Sequence, residues 1–343
     1  MNKKLPVHFP PISDCYSTDA SITSILQAFD VYNPDLFLNR LYLFKKSNNV
    51  MKFATVQKNF NYEILDYNNN DIIDQVIEKL ILNKYVFLYL DHFYINGSER
   101  YLKKHFAHDF SFIYGFDTNT ETLFCADNFI NGKYINLEVS YQDIILARRA
   151  IENSDIFSKN KNIVCFTYEG STGILNNELV RTIFEDFLDG DYKQIMKLNP
   201  CFLTDNIFGF SHGQNCQINN CDFGINIYKW LYEEIEKNVN NEKFLDIRPF
   251  HLLCNRQTIL KHLIMFWKSH NILNDRFYKL YEIIEAQVEC SFIIRNLVIK
   301  YNLLKKENIG KNILNRLSKI EDVERRFLNE ILSTKEIWRN FAG

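Results

Sequence analysis

The spacing of hydrophobic positions along the chain changes character near residue 170. Before that point, apolar residues three to four apart predict helices at about 15–29, 34–46 and 71–82. Other segments of the same region are dense in aromatic and β-branched residues, which is typical of strands. These segments are "KYVFLYLD", "HDFSFIYGF", "ETLFCAD" and "NIVCFTYEG".

Farther along, almost every segment has the helical spacing. Five helices are predicted, in "NNELVRTIFEDFLDG", "DFGINIYKWLYEEIEKN", "DIRPFHLLCNRQTILKHLIMFWKSH", "DRFYKLYEIIEAQVECSFIIRNLVIKYNLL" and "NILNRLSKIEDVERRFLNEIL". Asn177 and Asp222 are predicted N-caps, and Gly190 is expected to end the first of these helices. The fold class is therefore α+β, with a mixed domain over residues 1–170 and an all-helical domain over 171–343, joined by "EGSTGILNN".

Two of the predicted strands form a hairpin that carries a histidine and a carboxylate. If the chain turns at residues 117–120, Phe110 faces Asp127, and His108 lies two residues farther along on the same face. His108 is then within diagonal reach of Asp127, whereas Asp117 lies in the turn and is too far away. Because side chains alternate, a slip of one residue would move Asp127 to the other face.

A third reactive group precedes the first predicted helix, in the stretch "ISDCYSTDASI". If Ser13 or Asp14 caps that helix, Cys15 falls in its first turn, where the free N–H groups and the positive end of the dipole favour a thiolate. Taken alone, each residue also fits a structural role, as a buried thiol, a core histidine or an acid that ends a strand. Together, Cys15, His108 and Asp127 predict a nucleophile, its base and the group that orients the base.

The order of these motifs resembles that of the papain-like acyltransferases of natural-product biosynthesis. The likeness covers about the first 170 residues: a cysteine at a helix start, the stretch "YLDHFYINGSERYLKKHFAHD", then "IYGFD" and a strand that ends in "AD". The family includes the butirosin-type aminoglycoside acyltransferases and the cysteine-protease homologue that forms amides in closthioamide-type thiotemplated assembly. The helical remainder, with "FGINIYKWL" and "DIRPFHLL", is similar to the second half of chains encoded in nonribosomal peptide clusters.

The resemblance implies a papain-like fold for residues 1–170, followed by a helical domain that covers the cleft. It implies that Cys15 is the nucleophile, His108 the base and Asp127 the orienting residue. Such enzymes take an acyl group from the phosphopantetheine thioester of an acyl or peptidyl carrier protein and pass it to a small-molecule amine. No bound cofactor is therefore expected.

Departures from the papain-like pattern keep two other functions open. The stretch "FPPIS" ahead of Cys15 lacks the usual oxyanion-hole glutamine, and Asp127 is followed by Asn128 rather than by a proline. The motif "SDC" is similar to that of bacteriocin-processing peptidases of the double-glycine type, so a cysteine peptidase is one alternative. A non-catalytic assembly-line helper with a papain-like scaffold is the other.

Several other side chains are candidates for contacts with a metal or a substrate. A zinc interpretation rests on the HxxH pair His105 and His108 and on His212, Cys216, Cys221, His251 and Cys254. The chain has no CxxC pair, and strand residues three apart point to opposite faces, so no metal is expected. Substrate contacts are expected from Tyr94 and from Glu282, Glu285 and Glu289 on one side of a helix, with a solvated face as the alternative for the glutamates.

The charge and the apolar content of the chain indicate which kinds of partner it does not bind. The 343-residue chain has a net charge of −2, which argues against a nucleic-acid-binding surface. It has no apolar run long enough for a signal peptide or a membrane span, so a cytoplasmic protein without membrane contact is expected. Its eight cysteines show no regular spacing and are predicted to be reduced thiols.

Overall fold

The computed structural model describes residues 1–31, 33–45, 51–53, 60–65, 71–152, 163–170, 175–194 and 221–339. The chain divides into two compact units. The first comprises Met1–Val31 with Lys58–Thr172, and the second comprises Tyr32–Gln57 with Gly173–Gly343. The segment Tyr32–Gln57, which precedes residue 170 in sequence, therefore belongs to the same unit as the C-terminal helices. Of the predicted joint "EGSTGILNN", residues 171–174 lie outside the described segments.

The described strands and helices make a mixed α/β protein with an antiparallel sheet and C-terminal helices. The strands are β1 (Asn2–Lys4), β2 (Leu43–Lys45), β3 (Met51–Phe53), β4 (Phe60–Leu65), β5 (Tyr85–Asp91), β6 (Ala107–Asp117), β7 (Thr122–Ile130), β8 (Lys133–Ser140), β9 (Ile163–Tyr168) and β10 (Asp222–Phe223). The helices are α1 (Ser17–Phe29), α2 (Pro34–Arg40), α3 (Ile72–Ile81), α4 (Tyr141–Glu152), α5 (Asn177–Asp189), α6 (Asn226–Asn240), α7 (Arg248–Ser269), α8 (Phe277–Leu304), α9 (Glu307–Ser333) and α10 (Lys335–Arg339).

The first unit is built on a seven-stranded antiparallel sheet. Along the sheet the strand order is β4-β9-β5-β6-β7-β8, and β1 pairs with the last residues of β6. Strand β5 is buried along its whole length, as its continuous apolar run predicts for a central strand. Helix α1 packs against β6 and β7, while α3 and α4 pack against β5. The N-terminal helix therefore covers the two strands that carry His108 and Asp127.

The second unit is mainly helical and has a small sheet in the order β10-β2-β3. Helix α8 packs against both α7 and α9. The five helices predicted after residue 170 are confirmed. The helix predicted over 34–46 ends at Arg40, because Leu43–Lys45 instead pairs with β3 and β10. No helix within the described segments is both long enough and apolar enough to cross a bilayer.

The predicted ends of the first C-terminal helix are correct at one end and displaced at the other. Gly190 ends α5 with a φ of 65°, in the left-handed region that glycine adopts without a steric penalty. At the other end the cap is Asn176 rather than Asn177, because the Asn176 side chain accepts from the N–H of Leu179 at 2.9 Å. Asp222 lies in β10 and is not an N-cap, since the next helix begins at Asn226.

A buried ion pair lies in the core of the second unit. Arg256 on α7 pairs with Glu324 on α9, and both side chains are fully buried. The hydroxyl of Tyr228 also donates to Glu324, while the Nε–H of Arg256 donates to the carbonyl of Leu41 at 2.9 Å. The guanidinium lies 3.9 Å from the ring centroid of Phe187. Burial lowers the pKa of Arg256 to about 10, so this side chain remains charged at neutral pH.

Replacing Arg256 with methionine is expected to lower the free energy of unfolding by about 3–5 kcal/mol, because the Glu324 carboxylate is left buried without its cation. Adding Glu324→Leu in the same chain should recover much of this loss, since the double variant has no unpaired buried charge. Urea unfolding of the three proteins measures both effects. Equal losses in the single and the double variant would contradict this role of the ion pair.

Candidate active site

Asp127 is the centre of a buried hydrogen-bond cluster in the first unit. Its side chain is fully buried, and its Oδ2 atom accepts from three side chains. The Nδ1 atom of His108 lies 2.9 Å from Oδ2, the Nε2 atom of His92 lies 3.2 Å away, and the Oγ atom of Ser111 lies 2.6 Å away. The Oδ1 atom accepts from the backbone N–H of Asn128 at 2.7 Å. These donors together hold the carboxylate in a fixed orientation.

The neighbours of Asp127 keep its carboxylate ionised. Burial removes water from the carboxyl group and by itself raises the pKa of Asp127. The charge and the hydrogen bond of His108, together with the hydrogen bond of His92, more than offset burial and hold this pKa well below its usual range. An ionised carboxylate only accepts hydrogen bonds, so His108 presents its Nδ1–H to it. The Nε2 atom, on the far side of the His108 ring, is then the nitrogen that can take up a proton.

The hairpin formed by β6 and β7 differs from the predicted register at the site. The observed pairing sets Phe112 opposite Ala126, and its continuation sets Ser111 opposite Asp127. The prediction that Phe110 faces Asp127 is therefore wrong by one residue. Because side chains alternate along a strand, this slip alone would put the histidine and the carboxylate on opposite faces.

A β-bulge in β6 restores the contact. Ser111 pairs with Leu88 of β5, and His108 pairs with Leu90. The chain therefore advances three residues along β6 while it advances two residues along β5. The extra residue falls near Phe110, whose φ of +70° lies in the left-handed region. An extra residue shifts the alternation by one, so His108 and Ser111 share a face and both reach Asp127. The predicted meeting of His108 with Asp127 is thus observed, but through a bulge and not through a regular hairpin.

Cys15 lies ahead of the first turn of α1. The helix begins at Ser17 with Tyr16 as its N-cap, so the expectations that Ser13 or Asp14 caps it and that Cys15 lies in its first turn are wrong. The Tyr16 side chain makes no capping hydrogen bond. Cys15 is half-buried and lies two residues before the start of α1.

Hydrogen bonds connect the beginning of α1 to the strand beside the site. The Ser21 hydroxyl donates to the carbonyl of Ser17 at 2.7 Å and lies 2.8 Å from the hydroxyl of Tyr134. Tyr134 is adjacent on β8 to the residue that pairs with Asp127. The beginning of α1, which Cys15 precedes, therefore lies near the part of the sheet that holds Asp127.

His92 is a member of the cluster that the sequence pattern does not single out. It follows Asp91, the last residue of the buried strand β5, and β5 is the neighbour of β6 in the sheet. His92 is 1% exposed, and its ring centroid lies 5.4 Å from that of His108. The sequence feature that could have identified His92 is its position directly after an apolar strand.

The side chains of this cluster are of the types that bind metal ions, and their ligand atoms lie close together. One ligand atom from each of His92, His108 and Asp127 lies within 4.8 Å of the others. However, both ring nitrogens are directed at the same carboxylate oxygen, which also accepts from Ser111. A cation at this position would have to displace all three hydrogen bonds. The geometry is therefore that of a hydrogen-bond cluster in which a buried carboxylate orients two histidines.

A second aspartate–histidine pair closes the loop that follows β5. The Oδ2 atom of Asp91 lies 2.6 Å from Nδ1 of His105, and its Oδ1 atom accepts from the backbone N–H groups of Phe93 at 3.0 Å and Phe106 at 2.8 Å. The ring of His105 stacks on that of Phe93, with centroids 4.2 Å apart. One buried carboxylate therefore ties together the two ends of loop 92–106.

Replacing Asp91 with alanine is expected to open loop 92–106, because three donors lose their common acceptor. The loop contains trypsin sites at Arg100, Lys103 and Lys104, and cleavage there should accelerate about tenfold while the rest of the chain stays folded. Limited proteolysis followed by mass spectrometry gives the rate at each site. Wild-type cleavage rates at these three positions would contradict this role of Asp91.

The two histidines of the HxxH pair bind different carboxylates. His105 contacts Asp91, whereas His108 contacts Asp127. His212 and Cys216 of the zinc interpretation lie outside the described residues. Within the described part of the chain, no group of three metal-type ligands includes Cys221, His251 or Cys254.

The other predicted contact residues lie in separate parts of the molecule. Tyr94 is half-buried in a short 3-10 turn of loop 92–106. The three glutamates are exposed on α8, in the second unit: Glu282, Glu285 and Glu289. Glu285 forms an ion pair of 2.8 Å with Lys261, and this hydrogen bond lowers the pKa of the Glu285 carboxyl.

Neither a model of a known protein family nor a curated protein matches this sequence. The fold and the cluster define a mixed α/β protein in which a buried, ionised carboxylate orients a histidine, with a half-buried cysteine ahead of the helix that covers the same strands. The function proposed below therefore rests on the chemistry of these groups and on the resemblance of motif order described in the sequence analysis.

Proposed function

We propose that the protein is a cytoplasmic N-acyltransferase with a papain-like catalytic domain, which forms amides in natural-product biosynthesis. Cys15 is the nucleophile, His108 the base and Asp127 the residue that orients His108. The acyl group comes from the phosphopantetheine thioester of a carrier protein and passes to a small-molecule amine. The observation that carries the proposal is the fully buried Asp127 side chain, whose Oδ2 atom lies 2.9 Å from Nδ1 of His108.

The reaction has two steps. In the first, His108 holds the proton of Cys15, and the Cys15 thiolate adds to the thioester carbonyl. The donor C–S bond then breaks, and the pantetheine sulfur takes the proton from His108 and leaves as a thiol. In the second, the amine nitrogen adds to the acyl-cysteine, and the Nε2 atom of His108 takes the proton that the amine loses. The C–S bond to Cys15 then breaks, which releases the amide and regenerates the thiolate. Because an amide is more stable than a thioester, the second step runs toward product.

Asp127 fixes the base in one tautomer. Its carboxylate accepts from Nδ1–H of His108, so Nε2 carries the lone pair that takes the amine proton. The buried anion also stabilises the positive charge that develops on the imidazole, since charges attract more strongly away from water. His92 and Ser111 donate to the same oxygen and so resist rotation of the carboxylate.

The test is to incubate the wild-type protein with a carrier protein loaded with a range of acyl groups. The intact mass should rise by the mass of one acyl group, and peptide mapping should find that group on Cys15. Addition of an amine should discharge the acyl-enzyme and produce the amide at the same rate. Failure to form an adduct with any acyl group, from carrier-bound donors and from N-acetylcysteamine thioesters alike, would overturn the proposal.

The two alternative functions give different results in the same experiments. A cysteine peptidase would cleave members of a peptide panel without any carrier protein. A non-catalytic helper would form a complex with assembly-line proteins but would show no acyl adduct.

Chelation is expected to leave acylation unchanged, because the nitrogens of His92 and His108 are directed at Asp127 as hydrogen-bond donors. The measurement compares the rate of adduct formation before and after dialysis against EDTA, with a zinc-supplemented sample alongside. A loss of rate that zinc restores would identify the cluster as a metal site.

A further inference from the structure

Loop 92–106 carries a surface that is both cationic and apolar beside His108. We define the cationic rim as the half-buried Arg100 together with four exposed side chains, those of Leu102, Lys103, Lys104 and Phe106. The ring of Phe106 stacks on that of His108, with centroids 5.6 Å apart and an interplanar angle of 23°. The guanidinium of Arg100 lies 5.3 Å from the Phe106 centroid. The rim is therefore continuous with the candidate base.

The charge of the rim is not balanced locally. Loop 92–106 contains three lysine or arginine side chains and a single carboxylate, Glu99, which lies 3.5 Å from Arg100. Lys103 and Lys104 are exposed and form no ion pair with any residue that the structure describes. The chain as a whole has a net charge of −2. A local excess of cations on an acidic protein attracts an anionic partner.

Two apolar side chains accompany these cations. Leu102 is 62% exposed and Phe106 is 41% exposed. Leu102 has a φ of 51°, a left-handed conformation that is unfavourable for leucine, and its N–H donates to the carbonyl of Phe93 at 2.9 Å. The fold therefore maintains an unfavourable backbone conformation at a residue whose apolar side chain is exposed beside two lysines.

The rim is held in place before a partner binds. Asp91 ties the two ends of its loop together, and the middle is anchored to the β7–β8 hairpin. The Glu99 N–H donates to the carbonyl of Phe129 at 2.9 Å, and the Asn131 N–H donates to the Glu99 side chain at 2.7 Å. Ile95 is fully buried beneath the loop. A surface that is already ordered loses less conformational entropy when it binds.

We infer that the cationic rim docks an acidic carrier protein and binds the phosphate of its phosphopantetheine arm, an inference that rests on the proposed function. The lysines supply the charge that a phosphodiester and an acidic protein surface both require. The exposed Leu102 and Phe106 add an apolar contact that a free phosphate cannot use but a protein surface can. Phe106 contacts both Arg100 and His108, so an arm that extends from the rim to the site would pass it.

The test compares Lys103→Gln/Lys104→Gln with wild type, using the same acyl group on a carrier protein, on coenzyme A and on N-acetylcysteamine. The ratio of the carrier rate to the N-acetylcysteamine rate should fall about three- to tenfold, and the salt dependence of the carrier rate should weaken. Lys229→Gln/Lys300→Gln removes the same charge from exposed positions of the second unit and should leave this ratio unchanged.

A second variant separates docking of the protein from binding of the phosphate. Leu102→Asn removes the apolar contact but suits the left-handed backbone, so the fold should be retained. Its rate should fall with the carrier donor and not with the coenzyme A donor.

Three results would overturn the inference while leaving the proposed function intact, because Cys15 would still form an adduct. The first is that Lys103→Gln/Lys104→Gln has the wild-type ratio of the carrier rate to the N-acetylcysteamine rate. The second is an equal loss with all three donors. The third is a loss in Leu102→Asn that is the same for coenzyme A and the carrier. Absence of an adduct with every donor would instead reject the proposed function itself.

Discussion

Replacing Cys15 with alanine is expected to abolish acyl transfer, with a loss of about 10⁴-fold or more in the rate of amide formation. Without the sulfur there is no acyl-enzyme, so the amine must attack the carrier thioester directly and in one step. The substitution removes one atom from a half-buried position ahead of α1, so the fold should be preserved. Single-turnover formation of the amide, together with intact mass, measures the effect.

Cys290→Ala is the matched control for this variant. Cys290 is also a half-buried free cysteine, but it lies on α8 in the second unit. The Cys290 variant should form the adduct and the amide at the wild-type rate. If the adduct persists in Cys15→Ala and disappears in Cys290→Ala, the nucleophile is Cys290 and not Cys15.

Replacing Asp127 with asparagine is expected to lower the rate of amide formation by about 10⁴-fold while the acyl donor still binds. The Oδ2 atom of Asp127 accepts from His108, His92 and Ser111, and an amide nitrogen in its place would face three donors. If the amide rotates, its nitrogen instead faces the N–H of Asn128. The backbone N–H of Asn128 can only donate, so the amide oxygen stays beside it and the amide nitrogen faces His108. This orientation drives His108 to the tautomer with its proton on Nε2, which cannot accept the proton of the amine.

The control for Asp127 lies in the same hairpin. Asp117→Asn changes a carboxylate at the turn, where it accepts from Asn2 and from the N–H of Asn119, and it should leave the rate of amide formation unchanged. A wild-type rate in Asp127→Asn would contradict the role of Asp127 as the residue that orients the base.

Because the pKa of Asp127 is lowered, the pH dependence of stability is a second test of the Asp127→Asn variant. The carboxyl binds a proton less readily in the folded state than in the unfolded chain, so the ionised form stabilises the fold at neutral pH. This contribution is fully present above the unfolded pKa of about 4 and is lost as the pH falls toward the folded pKa. The free energy of unfolding of Asp127→Asn should therefore vary less with pH below about 5 than that of the wild type.

The elements with long hydrophobic patterns are those that the sequence predicts correctly. The apolar run of β5 is continuous, and the helical spacing of α7, α8 and α9 continues over more than 20 residues in each helix. Patterns of this length distinguish a strand from a helix. Strand β2 is only three residues long and follows a helical pattern, so its conformation depends on pairing with β3 and with the distant β10. Strand β8 has an alternating, partly exposed pattern and is ordered by its pairing with β7.

Within the site, the choice of residues was predictable but their geometry was not. His108 and Asp127 can be chosen because a hairpin brings the beginning of its first strand close to the end of its second strand. The bulge near Phe110 has no such signature, since no glycine marks the residue with positive φ. His92 joins the cluster only because β5 lies beside β6.

The sequence by itself determined which side chains are candidates for the site, the strands that carry His108 and Asp127, and the helical character of the C-terminal half, because these depend on residue type and on local periodicity. The tertiary structure decided which faces meet: the register of β6 and β7, the bulge that turns His108 toward Asp127, and the start of α1 at Ser17. Those features are set by pairing and packing between residues far apart in the chain. Local patterns do not encode such contacts, and a shift of one residue in the register, or loss of the bulge, would turn His108 away from Asp127.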